Sequence, residues 1–118
     1  MRQDRGMEEL RERSDFDRLL EQPLAVIFKH STLCGISARA RREVTRFLAE
    51  YPDHRVYEVD VHAGRTVSSY IEEKTGVRHE SPQLLVLRCG RVVWHGSHSG
   101  VSAKAMAAEI ARGAEDDV

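Results

Sequence analysis

Five apolar residues in a row, Leu24 to Phe28, constrain this chain more than any other feature. A continuous apolar run of that length with β-branched members reads as a central strand buried on both faces. The pattern then changes period. Ile36, Ala40, Val44, Phe47, Leu48 and Tyr51 lie on one face of a helix over 36–50 that stops at Pro52. RVYEVDV, residues 55–61, alternates as a second strand. Strand, helix and strand in that order make a parallel pair joined by a right-handed crossover.

The flanking sequence completes the pattern. Ser14, followed by Asp17, predicts the N-cap of a short helix carrying Phe16, Leu19 and Leu20 and ending before Pro23. Val67, Tyr70 and Ile71 mark a helix closed by Gly76. Residues 83–88 and 92–95 read as two strands joined by a tight turn at Cys89-Gly90, a β-hairpin. Ser102 predicts the N-cap of a last helix with Ala103, Met106, Ala107 and Ile110 on its apolar face, stopped by Gly113. This order is similar to the minimal thioredoxin-like arrangement. The implied fold class is α/β, with a four-stranded mixed sheet in the order 55–61, 24–29, 83–88, 92–95 and helices on both faces. Residues 7–113 are expected to form one domain, with a disordered tail at 1–6 and an acidic tail at 114–118.

Bulk properties exclude several classes. The 118 residues suffice for one modest core. A net charge of −1 gives no electrostatic reason to expect nucleic acid or a membrane surface as partner. The charged start, MRQDRGMEELRERSD, lacks the apolar core of a secretory signal, so the expected location is the cytoplasm. Two cysteines do not make a disulfide framework.

Cys34 stands at the start of the helix 36–50, where unpaired N–H groups and the macrodipole favour a thiolate over a thiol. Lys29 and His30 are expected to add positive charge nearby. Such a setting makes a cysteine an ionised nucleophile at neutral pH. The plain alternative is a small apolar residue at a helix end, but the flanking HST and GIS segments are polar. Ser37 occupies the position where a two-thiol site would hold its resolving cysteine. Thiol chemistry here must therefore be monothiol: a mixed disulfide forms on Cys34 and an outside thiol resolves it. Ser37 is placed to hydrogen-bond the Cys34 sulfur. Cys89 lies at the far end of its strand, more than roughly 20 Å from Cys34 at the rise of an extended chain, and reads as a bystander.

Ser81-Pro82 opens the strand 83–88, where a proline is tolerated. The fold analogy implies a cis peptide there, facing the cysteine. His30, His62, His79, His95 and His98 all map to that end of the sheet, and His54 to the other. They are ordinary surface histidines, a rim whose charge rises below pH 7, or in part metal ligands with Cys34. Arg39, Arg41 and Arg42 do not share one helix face and read as a solvated surface.

These residues resemble the YtxJ-type monothiol bacilliredoxin family. The likeness lies in FKHSTLCGIS at 28–37, ESPQ at 80–83 and VVWHGSHSGVSA at 92–103, and spans roughly residues 10–112. The family pattern has proline where this chain has Gly35. The resemblance implies a thiol–disulfide oxidoreductase with no permanently bound cofactor and bacillithiol as co-substrate. Cys34 would remove bacillithiol from protein mixed disulfides, and a second bacillithiol would regenerate it. Lys29, His30, Thr32, Gly35, Ser81, Pro82 and His98 would form the thiol-binding surface. Lys29, His30 and His98 would meet the malate carboxylates. The implied partners are bacillithiolated cytosolic proteins, and the expected state is a monomer or weak dimer. Cys-Gly-Ile-Ser also resembles the Cys-Gly-Phe-Ser of monothiol glutaredoxins, which implies a [2Fe–2S] carrier using Cys34 and a low-molecular-weight thiol. The Gly-Gly-Cys-Asp segment of those proteins is absent; SHSG stands at 97–100. A thioredoxin-fold adaptor that uses no thiol is the third reading.

Overall fold

The computed structural model describes residues 6–31 and 35–116, except for the side chains of Ile36 and residues 113–116. Five strands and four helices follow one another along the described residues: β1 (Met7–Glu9), α1 (Arg13–Leu19), β2 (Leu24–His30), α2 (Gly35–Glu50), β3 (Val56–Asp60), α3 (Arg65–Thr75), β4 (Gln83–Arg88), β5 (Arg91–Ser97) and α4 (Ala103–Asp116). A 3₁₀ turn at His98–Gly100 leads into α4. The strand order is β1-β3-β2-β4-β5, parallel from β1 to β2 and antiparallel from β2 to β5. The predicted four-strand order is present, and a fifth strand extends it at the β3 edge.

That added strand has only three residues, MEE, with no apolar alternation to announce it. Its stability comes from backbone pairing with β3. The ladder continues past both ends, with Val56 N–H donating to Gly6 O at 2.7 Å and Leu10 N–H to Glu58 O at 2.9 Å. Two further boundaries differ from expectation. Helix α1 is capped by Glu12, not Ser14, because the Asp15 carboxylate accepts from the Arg11 and Glu12 N–H groups at 2.8 and 2.9 Å. Those two bonds hold the Asp15 carboxyl below its ordinary range. Helix α4 runs through Gly113 to Asp116. One glycine inside a helix costs only about 1 kcal/mol relative to alanine, too little to end it when helix formers follow.

Alternation along β2 divides the core in two. Val26 and Phe28 face α2 and α4, where they pack with Ala40, Val44, Phe47 and Met106. Ala25 and Ile27 face α1 and α3, where they meet Phe16, Leu19, Val67 and Ile71. Both faces of β2 are buried, as its unbroken apolar run requires. At one end of the sheet, Cys89 and Gly90 both take positive φ (51° and 79°), the backbone that a two-residue hairpin turn demands. A Cβ at Gly90 would stand 2.7 Å from Leu20 O, so this turn takes only glycine there. The opposite end carries the candidate site.

Candidate thiol site

The last two residues of β2 point to opposite faces. His30 continues the Val26–Phe28 side. Its ring stacks on Phe28 with centroids 5.1 Å apart, and its Nε2 lies 3.1 Å from Glu58 Oε1 on β3. Arg41, nearly two turns into α2, brings Nη1 to the same carboxylate oxygen at 2.5 Å. The His30 hydrogen bond comes first, then the Arg41 hydrogen bond and charge; they hold the Glu58 carboxyl below its ordinary value against the opposing effect of burial. A cavity of about 420 Å³ opens beside this group, lined by Ser31, Ser37 and Asp60 among others.

Ser37 is buried, and its Oγ accepts the Ser31 N–H at 3.0 Å. This bond ties together the two ends of the segment that carries Cys34. Thr32, Cys34 and the expected Ser37–Cys34 contact lie outside the described residues. A hydroxyl that accepts one bond keeps a proton to donate. Gly35 is exposed at the first position of α2, and a Cβ there would meet nothing within 4 Å. Packing does not demand glycine in place of the family's proline.

Across the sheet end, the Ser81–Pro82 peptide is cis, as the fold analogy implied. Pro82 O accepts the His98 N–H at 3.0 Å. Arg39 Nη2 reaches the carbonyls of His98 and Val101 at 3.2 and 3.3 Å, joining α2 to the same corner. His98 Nδ1 lies 3.4 Å from Glu80 Oε1, with both side chains largely exposed. Arg39 and Arg41 are therefore not a bare solvated face: each is tied to another element. Ser81 Oγ is buried without a hydrogen-bond partner among the described residues.

Lys29 departs from expectation. Its side chain has no exposed surface and faces α3, where Nζ donates to Ser68 O at 3.1 Å and lies 3.4 Å from His79 Nδ1. Burial pushes it down to about 8, against an upward pull from Glu72. Lys29 is thus not a surface cation for a carboxylate, nor an exposed charge beside the helix start. The strict alternation of β2 turns it inward on the opposite face from His30 and α2. The sequence reading missed Glu58, Ser68 and Asp60 as site neighbours. For Glu58 a signal existed: strand alternation puts it on the same face as Val56, toward α2.

The structure moves one histidine from its expected place: His95 pairs with Leu85, itself the partner of Ile27 in the middle of β2, because β5 runs on to Ser97 rather than ending at residue 95. His54 packs on Phe47 and Tyr51 at the far end of the sheet. Cys89 is exposed at the hairpin, beyond Arg88, whose strand partner is Leu24 at the start of β2. No group of three His, Cys, Asp or Glu among the described residues is placed to share a metal ion. None of the described helices is long and apolar enough to cross a membrane.

The strand order, the helices on both faces and the cis peptide at the head of β4 together define a thioredoxin-fold protein. Solved structures agree. One, with a thioredoxin fold and a description that proposes an oxidoreductase, is 33% identical with a TM-score of 0.82, covering 87% of this chain and 92% of its own. The thioredoxin of Trypanosoma brucei brucei superimposes with a TM-score of 0.73 at 18% identity, over 93% of this chain and 96% of its own. The oxidised thioredoxin of Plasmodium falciparum gives 0.68 at 19% identity, over 90% and 96%. These last two speak to fold alone. The family described as monothiol bacilliredoxin BrxC matches residues 8–106, and the chain belongs to that family. It is a thioredoxin-fold thiol–disulfide oxidoreductase of the monothiol type.

Proposed function

We propose that the protein removes bacillithiol from protein mixed disulfides through Cys34. The observation that carries this reading is the family match across residues 8–106, in a chain whose Cys34 directly precedes the first residue of α2. The Cys34 thiolate attacks the bacillithiol sulfur of the mixed disulfide. The protein sulfur leaves as a thiolate and takes a proton from water, and a new disulfide joins Cys34 to bacillithiol. A second bacillithiol thiolate then attacks the bacillithiol sulfur of that disulfide, giving oxidised bacillithiol and free Cys34. Ser37 supports the first step by bracing Ser31 and closing the segment between them. The Ser81–Pro82 corner, held to His98, offers backbone groups to the substrate. Partners on this reading are bacillithiolated cytosolic proteins.

Intact mass spectrometry tests it. Wild type and Cys34→Ser are incubated with a bacillithiolated model protein. The expected result is a gain of one bacillithiol on wild type alone, reversed by added bacillithiol. A folded, reduced wild type that forms no adduct would overturn the reading and leave the iron–sulfur carrier as the next to test, by visible absorbance after anaerobic reconstitution.

A further inference from the structure

His79 is exposed, yet one edge of its ring is engaged from below. Nδ1 lies 3.4 Å from the buried Lys29 Nζ and 3.3 Å from Ser68 Oγ, and the His79 N–H donates to Glu72 Oε2 at 2.8 Å. A protonated lysine offers only hydrogens. Nδ1 must therefore accept, and the single proton of the neutral ring sits on Nε2. Nε2 is on the other side of the ring, turned away from Lys29. The ring stands three residues before the cis Pro82. Lys29 is the next-to-last residue of β2, whose chain runs on to Cys34, and its strand partner is Gln83, the residue after Pro82. The donor thus lies at the thiol end of the sheet, on the α3 side of the Ser81–Pro82 corner.

We propose that His79 Nε2–H donates a hydrogen bond to a carboxylate of the low-molecular-weight thiol, and that Lys29 is the positioning residue that fixes the ring in this tautomer and orientation. This rests on the bacillithiol reading above and names a contact for the malate end of that thiol. Carboxylates are pure acceptors, matched to a lone N–H donor. The groups around the ring favour its neutral form. Burial and the Lys29 charge lower its affinity for a second proton, against an upward pull from Glu72 and Glu80. Lys29 would then act on the substrate through His79, which gives the buried ammonium a role.

The test has two parts on the full reduced chain. Nitrogen-detected NMR reads the His79 tautomer, expected as Nε2–H in wild type. Exchange kinetics then compare wild type, His79→Ala, His79→Gln and Lys29→Met with bacillithiol and with cysteamine, a thiol that has no carboxylate. His79→Ala should raise KM for bacillithiol about tenfold with little change in kcat, the scale of one hydrogen bond to a charged group. Cysteamine exchange should not respond. The carboxamide of His79→Gln should recover part of the loss. Lys29→Met should raise KM several-fold and move the ring toward Nδ1–H and a higher titration point. Because His79 is exposed, its variants and the wild-type tautomer carry the test even if Lys29→Met does not fold. An Nδ1–H ring in wild type, or an unchanged bacillithiol KM in His79→Ala beside a fully active wild type, overturns this proposal alone. A wild type that exchanges with neither thiol overturns the proposed function and the ligand assignment with it.

Discussion

Lys29 and His30 are adjacent in the chain and both nearly or fully buried, and they meet partners of opposite kinds. His30 meets a carboxylate, Glu58, which Arg41 also grips from the solvent side. Lys29 meets a carbonyl and an imidazole, neither of which carries a full negative charge. The first arrangement stabilises an ionised acid, and the Glu58 carboxyl is held low. The second strands an ammonium in an apolar face, and Lys29 falls to about 8. One residue's shift along a strand thus separates a carboxylate gripped by two hydrogen-bond partners from an ammonium whose nearest acid, Glu72, offsets its burial only in part.

The contrast can be tested most strongly at Lys29. Its folded-state value, about 8, lies below the ordinary 10.5. Between those values the unfolded chain binds more protons, so stability rises with pH through the window. Urea unfolding of wild type and Lys29→Met should show wild type gaining about 3 kcal/mol on the variant between pH 8 and 10.5. A constant difference would mean that the burial does not cost what the comparison says.

Glu58→Gln should have the next largest effect. A depressed carboxyl contributes stability above its unfolded value, and the contribution is lost as pH falls through the lower folded value. The variant should lose about 2 kcal/mol at pH 7, and the gap to wild type should close as the pH drops below the ordinary glutamate value of 4.5. Equal losses at pH 7 and pH 3 would show that shape, not charge, makes this contact matter. Arg41→Ala should have the smallest effect, about 0.5 kcal/mol, because its side chain is half in water. A loss as large as that of Glu58→Gln would make Arg41, rather than His30, the main partner of the acid.

Much of this molecule could be read without coordinates where the signal was periodic. The apolar run of β2, the helical face from Ala40 to Phe47 and the Cys89-Gly90 turn each carry a local pattern that burial rewards in only one way. Strand β1 carries none. Three residues with a single buried side chain acquire their structure from β3, so no window of sequence around Met7 could announce it. The N-cap at Glu12 was hidden for a related reason: Asp15 satisfies the Arg11 and Glu12 N–H groups from inside the helix, and Ser14, the commoner capping type, lies within the helix itself.

By itself, the order of apolar runs and turns determined the βαβ unit, the buried central strand and the hairpin, because hydrophobic period and chain connectivity leave few ways to bury both faces of β2; the order of strands in the sheet came from likeness to the thioredoxin-like arrangement. It also determined that thiol chemistry at Cys34 has no partner at position 37, since serine cannot form a disulfide. Only the tertiary structure decided what the neighbouring polar residues do. Lys29 looked like a surface cation by composition. Its direction was set by the pleat, and its partners, Ser68 and His79, are 39 and 50 residues away in the chain. Glu58 became part of the site because β3 lies beside β2, and Arg41 because α2 crosses above them. Electrostatic partners are chosen by distance in space, and in this fold that distance is settled by how the two sheet faces are covered.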